Sequence, residues 1–150
     1  MNVKDIKVGQ VLWLKVRYQI DKVADVKHPM LIAKIYDDYI EVIALDKTLG
    51  KLHQLYKPCN FYINSLSPKE TVILEDSYAQ LNTKITLEWN SCLLRSKKTN
   101  DCLSKAKLKE VLTAYEEYQN NNSLLEERIV HMPINEIILL NPELQELARA

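Results

Sequence analysis

The sequence predicts a protein of the α+β class, in which strands close into a small barrel and helices pack on the outside. Two observations carry this prediction. Residues 11–89 contain short runs rich in β-branched and aromatic residues, separated by turn residues, which is typical of strands. From about residue 103 onward, the apolar residues recur at helical spacing. The length of 150 residues suits one domain, which can bury about 70% of its unfolded surface.

The first half of the chain is expected to form a succession of strands. The predicted strands cover residues 11–18, 30–36, 39–45, 61–64, 70–75 and 83–89. The clearest signal is a hairpin, because the apolar runs 30–36 and 39–45 flank Asp37 and Asp38. Residues 19–28 carry scattered charges and end before Pro29, which predicts an exposed connection.

The second half of the chain predicts helices. The first covers residues 104–119 and has Ser104 as its N-cap. A linker follows, because the asparagines from Asn120 onward hydrogen-bond their own backbone and compete with helix. Shorter helices are expected at residues 124–131 and 143–150. The chain is therefore divided into a barrel with its packed helix, residues 1–119, and a helical C-terminal extension, residues 120–150.

The charge and cysteine content exclude several classes of protein. Lys and Arg total 20 and Asp and Glu total 20, which argues against coating nucleic acid by bulk charge. The basic residues of the segment 95–109 still permit a local basic groove. Three widely spaced cysteines predict free thiols. No apolar run approaches the roughly 20 residues of a membrane span, and the N-terminus lacks a secretory pattern, so the expected location is the cytoplasm.

The sequence contains no catalytic motif of high specificity. Its 2 glycines are too few for a phosphate-binding glycine loop. His28, His53 and His131 lie far apart, and no Cys-x-x-Cys pair accompanies them. We therefore expect neither a metal nor a cofactor.

Several short motifs nevertheless follow one another in a recognisable order along residues 8–119. They are Val8-Gly9-Gln10-Val11-Leu12-Trp13, His28-Pro29-Met30-Leu31-Ile32, the run 40–45, Ser67-Pro68-Lys69-Glu70-Thr71-Val72-Ile73-Leu74, and Cys102-Leu103-Ser104-Lys105-Ala106-Lys107-Leu108. In this order they resemble the MazF/PemK family of toxin endoribonucleases. The resemblance implies an SH3-like barrel, a homodimer, an antitoxin protein as partner, and cleavage of single-stranded RNA without a metal.

The resemblance also implies where the catalytic residues lie. The family places an arginine before the proline and a Thr or Ser after the second long strand. Here His28 stands in the first position with Lys27 beside it, and the second position falls on Asp46 or Thr48. A histidine can exchange protons near neutral pH, and a lysine can face the phosphate charge. We therefore assign His28, Thr48 and Lys27 to catalysis, and Arg17, Tyr18 and Asp46 to RNA binding.

A second interpretation stays open, because a fixed guanidinium is absent at the position of His28. The chain would then be a degenerate barrel module that binds a protein or RNA without cleaving it. The C-terminal residues give a separate reason to expect a dimer, since they are rich in apolar side chains that one barrel has little surface to cover. We expect them to pack across the barrel or across a second copy, with Trp89 near the junction.

Overall fold

The computed structural model describes residues 5–66 and 69–146. The strands are β1 (Val11–Leu14), β2 (Arg17–Gln19), β3 (Lys22–Val23), β4 (His28–Ile35), β5 (Tyr39–Lys47), β6 (Asn60–Ile63), β7 (Ser77–Gln80), β8 (Lys84–Glu88) and β9 (Ile129–Met132). The α-helices are α1 (Lys105–Asn121), α2 (Ile134–Leu140) and α3 (Glu143–Glu146). Short 3₁₀ helices cover Leu52–Tyr56, Ser91–Ser96 and Glu126–Arg128.

The hairpin of β4 and β5 is the centre of the sheet. The two strands pair antiparallel with Met30 opposite Ala44, which confirms the predicted hairpin. Strand β1 pairs with the outer edge of β4. On its other edge, strand β5 pairs with two strands in succession: its first residues pair with β8, and its last residues pair with β7. Strand β6 then follows β7, and β9 lies parallel to β8.

The architecture is α+β, as the sequence predicts, with a mostly antiparallel sheet. Closure into a barrel is not observed: the strand pairs of the described residues do not form a closed ring. No helix in the described ranges is long and apolar enough to cross a membrane.

The β4–β5 hairpin is buried on both faces, because alternate side chains of a strand point to opposite sides. Met30, Ile32 and Val42 enter one core cluster together with residues of β9, α2 and α3. Leu31 and Ile43 enter a second cluster against α1. We call these two sides the tail face and the helix face.

Four of the sequence predictions about individual elements are wrong. The run 11–18 is two strands, β1 and β2, and the predicted connection 19–28 contains β3. Residues 70–75 do not form a strand, because the adjacent side chains Val72 and Ile73 are both buried in the helix-face cluster rather than alternating. Residues 124–131 form a 3₁₀ turn and the start of β9 instead of a helix.

Other predicted elements are confirmed. Strands β6 and β8 lie within a residue or two of the predicted runs 61–64 and 83–89. Helix α1 covers the predicted run 104–119. The backbone N–H and hydroxyl of Ser104, its N-cap residue, both donate to the buried carboxylate of Glu70, at 2.8 Å each. The last residues of the predicted helix 143–150, and the motif residues Ser67 and Pro68, lie outside the described residues.

The C-terminal segment packs on its own sheet. Asn141 is fully buried, and its side chain accepts from the Lys15 N–H at 2.8 Å and donates to the Lys15 carbonyl at 2.9 Å. Glu136 binds the guanidinium of Arg17 through both carboxylate oxygens. The apolar residues of the segment are therefore covered largely within one copy: Val130, Met132, Ile137 and Leu144 are buried in the tail-face cluster. Trp89 packs against the same cluster.

Candidate functional site

A polar row crosses three neighbouring strands at one end of the sheet. The β4–β5 register, extended from the Met30–Ala44 pair, sets His28 opposite Asp46. Asp46 is in turn the partner of Tyr78 on β7. Because the three residues occupy one row, their side chains meet on the tail face, although they are separated in sequence.

The carboxylate of Asp46 is the centre of this row. It accepts hydrogen bonds from the Lys51 ammonium at 2.7 Å, the Tyr78 hydroxyl at 3.2 Å and the Lys47 backbone N–H at 2.9 Å. The His28 Nδ1 atom lies 3.8 Å from the Oδ1 atom of this carboxylate. This separation is an ion-pair distance but is too long for a hydrogen bond. The carboxylate thus has a fixed orientation with its charge opposed by Lys51.

A tight turn places Lys51 beside Asp46. The Lys51 N–H donates to the Thr48 carbonyl at 2.8 Å, and Gly50 has a φ of 77°, in the left-handed region that glycine favours. The chain therefore reverses directly after β5 and brings the ammonium back to the end of the strand.

Tyr78 is a hydrogen-bond donor at every physiological pH. Burial, followed by the nearby charge of Asp46, raises the pKa of its hydroxyl to about 12. The phenol therefore keeps its proton and supports the carboxylate.

The row forms part of a polar cleft of about 500 Å³. The β2–β3 hairpin, the row itself and the segment 51–60 line it. The cleft contains Tyr18 and five amide side chains: Gln19, Gln54, Asn60, Gln80 and Asn82. Within the described residues, the side chains of Gln19, Gln80 and Asn82 make no hydrogen bond, so their donors and acceptors are available to a ligand.

A second, apolar cleft of about 420 Å³ opens on the helix face at the same end of the sheet. His28 and Asp46 line both clefts. Trp13, Val72 and Ile73 contribute apolar surface to the second one. The Lys98 ammonium lies 3.8 Å from the centroid of the Trp13 ring, where the face of the indole attracts a cation.

The candidate residues assigned from the sequence fall into three groups, in the polar cleft, in the apolar cleft and outside both. His28, Asp46 and Tyr18 line the polar cleft together. Lys27 lines the apolar cleft instead, and its ammonium pairs with the Glu143 carboxylate.

Arg17 and Thr48 lie outside the lining of both clefts. The Arg17 guanidinium binds Glu136 and also donates to the carbonyls of Ile20 and His131, each at 3.1 Å. The hydrogen bond to Glu136 raises the pKa of Arg17. Thr48 is buried, and its backbone N–H and hydroxyl both donate to the Asp76 carbonyl, at 3.0 and 3.4 Å.

Most residues of the polar cleft were not identified from the sequence, among them Lys51, Lys57, Tyr78 and Arg128. The glycine after Asp46 could have predicted the position of Lys51. A four-residue turn over residues 48–51 reverses the chain and brings its last residue, Lys51, back to the end of the strand. Tyr78 lies in the short run Ser77–Gln80, whose alternation is too brief to predict a strand. Arg128 follows two glutamates and reads as part of a solvated helix.

The polar cleft does not have the composition of a metal site. Among residues 5–66 and 69–146, no group of three or more His, Cys, Asp or Glu side chains is placed to hold a metal ion. The three cysteines are free thiols, and Cys59 lines the cleft.

Comparison with known proteins adds no family: neither the family models nor the curated proteins searched contain a match to this chain. The resemblance to the MazF/PemK family therefore depends on the order of the motifs alone.

Proposed function

We propose that the chain is a cytoplasmic, metal-independent endoribonuclease that cleaves single-stranded RNA in the polar cleft, on an SH3-like arrangement of strands. The observation that carries the proposal is the meeting of His28 with Asp46 in a cleft lined by cations, amides and a tyrosine. The motif order that resembles the MazF/PemK family supports the same reaction. It also adds two proposed partners, an antitoxin protein and a second copy of the chain.

The reaction is transfer of the phosphoryl group to the neighbouring 2′-oxygen. The His28 imidazole removes the 2′-hydroxyl proton, the 2′-oxygen attacks the adjacent phosphorus, and the bond to the 5′-oxygen breaks. The products are a 2′,3′-cyclic phosphate and a 5′-hydroxyl end. Asp46 opposes the positive charge that develops on His28, and Lys51 is the candidate proton donor for the leaving oxygen.

The lining of the cleft favours single-stranded RNA as the substrate. Unpaired bases expose hydrogen-bonding edges, and Gln19, Gln80 and Asn82 offer free amides to such edges. Tyr18 is about one-third exposed and gives a ring on which a base can stack. A duplex would present neither its Watson–Crick edges, which are paired, nor its base faces, which are stacked, to these groups.

The test is cleavage of a fluorescent single-stranded RNA by the purified chain in the presence of EDTA. Because general base catalysis contributes roughly 10² to 10⁴ in rate, His28→Ala should lower the single-turnover rate by about that factor. The matched control is His53→Ala, which removes an exposed histidine that lines neither cleft. Equal rates for the two variants, or no cleavage by the wild-type chain, would contradict the nuclease proposal.

One observation favours the binding module as a second candidate. Thr48 and Arg17, two of the residues assigned to the reaction from the sequence, are occupied by hydrogen bonds inside the protein. A module of this kind would bind the same RNA without cleaving it. Binding by wild-type and His28→Ala chains with equal affinity, and intact RNA in both cases, would be the expected result.

A further inference from the structure

Arg128 reaches the polar cleft from the C-terminal segment, outside the region that resembles the MazF/PemK family. We infer that Arg128 is a phosphate-binding residue of this cleft. The inference rests on the proposed function, since it takes the ligand of the cleft to be RNA.

The backbone around Arg128 is fixed on both sides. Glu127, which precedes it, accepts a hydrogen bond at 2.9 Å from the N–H of Ile20, at the tip of the β2–β3 hairpin. Ile129, which follows it, is paired with Lys84 at the start of β9. The Arg128 N–H itself donates to the Leu125 carbonyl at 2.9 Å. The side chain therefore leaves the backbone at a defined point on the rim of the cleft.

The Arg128 head group is largely unused within the protein. Its one hydrogen bond to the described residues is a long one of 3.5 Å to the Thr83 hydroxyl, and no described carboxylate lies at ion-pair distance. Arg17 is the opposite case, because hydrogen bonds to Glu136 and two carbonyls use four of the five N–H donors of its guanidinium. Of these two arginines, Arg128 is the one that lines the polar cleft and keeps most of its donors for a ligand.

The charges in the cleft support an anion as that ligand. Lys51 and Asp46 offset one another, which leaves Arg128 and Lys57 as lining cations without an ion-pair partner among the described residues. Asp25 is the other lining carboxylate. A guanidinium presents a planar fork of N–H groups that matches two phosphate oxygens at once, which an ammonium cannot do.

The experiment measures binding rather than cleavage. A labelled single-stranded RNA with 2′-O-methyl groups at every position cannot be cleaved, and its anisotropy is followed at several salt concentrations. Arg128→Gln should weaken binding about tenfold and lower the slope of log affinity against log salt by about 0.7, the loss of one phosphate contact. Arg128→Lys should keep the slope but recover only part of the affinity, because it keeps the charge without the fork.

Two further variants keep the inference falsifiable. Arg95→Gln removes an exposed arginine that lines neither cleft and should leave affinity and slope unchanged. Arg128→Met keeps the alkyl stem, and it replaces Arg128→Gln if that variant fails to fold by circular dichroism. If the wild-type chain binds RNA and the neutral Arg128 variants have the same affinity and slope as Arg95→Gln, the inference about Arg128 is wrong. The proposed function would not be affected by that result. A wild-type chain that does not bind RNA would overturn the proposed function and the inference with it.

Discussion

The tail face and the helix face of the same hairpin end in two different clefts. The helix-face cleft is apolar, and the polar groups beneath α1 are paired inside the protein: the Tyr115 hydroxyl donates to buried Glu41 at 2.7 Å. The tail-face cleft is polar: three of its amide side chains make no hydrogen bond to the described residues, and two of its cations have no ion-pair partner among them. Satisfied polar groups stabilise a fold, whereas unsatisfied ones beside a cavity are available to a ligand.

The covering elements differ in the same way. Helix α1 closes the helix face with a buried side of its own, through Val111 and Tyr115. The tail face is covered by β9 and two short helices, which depend on specific polar contacts from Asn141 and Glu136. Substitutions on each face therefore test whether that face depends on the contacts that the structure assigns to it.

The largest effect is expected on the tail face, at Asn141. Asn141→Ala leaves the Lys15 N–H and carbonyl without their side-chain partner and opens a small cavity. The free energy of unfolding should fall by about 3 kcal/mol, measured by urea denaturation. Asn135→Ala, at an exposed position of α2, is the control and should change it by at most about 0.5 kcal/mol. Similar changes in the free energy of unfolding for both variants would mean that the hydrogen bonds of Asn141 to Lys15 do not stabilise the packing of the C-terminal segment.

A somewhat smaller loss is expected on the helix face, at Tyr115. Burial and the hydrogen bond to Glu41 raise the pKa of Tyr115, so its hydroxyl remains a donor. Tyr115→Phe leaves the Glu41 carboxylate buried without that donor and should cost about 2 kcal/mol of stability in urea. Tyr118→Phe, on the same helix, removes a hydroxyl that makes no hydrogen bond to the described residues. A loss at Tyr118 equal to that at Tyr115 would show that the hydrogen bond to Glu41 is not the cause of the effect.

The smallest effect is expected at Asp76, in the turn that directly precedes β7. Hydrogen bonds from the Ser65 backbone N–H, the Tyr62 hydroxyl and the Ser65 hydroxyl lower the pKa of Asp76. The folded protein therefore binds this proton more weakly than the unfolded chain, whose Asp pKa is about 3.9. The stability that Asp76 contributes is fully present above that pKa and is lost as the pH falls below it.

The measurement compares the wild-type chain with Asp76→Asn at several pH values. Their difference in free energy of unfolding should be under about 1 kcal/mol, because solvent screens the carboxylate, and should shrink below about pH 4. Asp37→Asn, in the exposed hairpin turn, is the control. A difference for Asp76→Asn that stays constant down to about pH 2.5 would show that the carboxylate charge is not what stabilises this turn.

The sequence alone was sufficient to predict an element whose pattern of residues is determined by its own segment of the chain. The β4–β5 hairpin follows from two apolar runs around Asp37 and Asp38, and α1 follows from its apolar spacing after Ser104. The strand predicted over residues 70–75 was wrong because its apolar residues Val72 and Ile73 pack in the helix-face cluster. A short apolar run has the same sequence pattern whether it joins a sheet or packs beneath a helix. The helix predicted over residues 124–131 was wrong because β9 forms through its pairing with β8, which is distant in the sequence.

The candidate site divides in the same manner. His28 and Asp46 were assigned through the resemblance to the MazF/PemK family, and the pairing of β4 with β5 brings them together at one end of the hairpin. Arg17 and Thr48 could not be separated from them, because the sequence does not reveal that Glu136 and the Asp76 carbonyl occupy their donors. The register across β4, β5 and β7 brings in Tyr78, and the path of the C-terminal segment brings in Arg128. Local patterns fix which segments form, but hydrogen-bond partners distant in the chain decide which side chains remain available, and only the tertiary structure sets those partners.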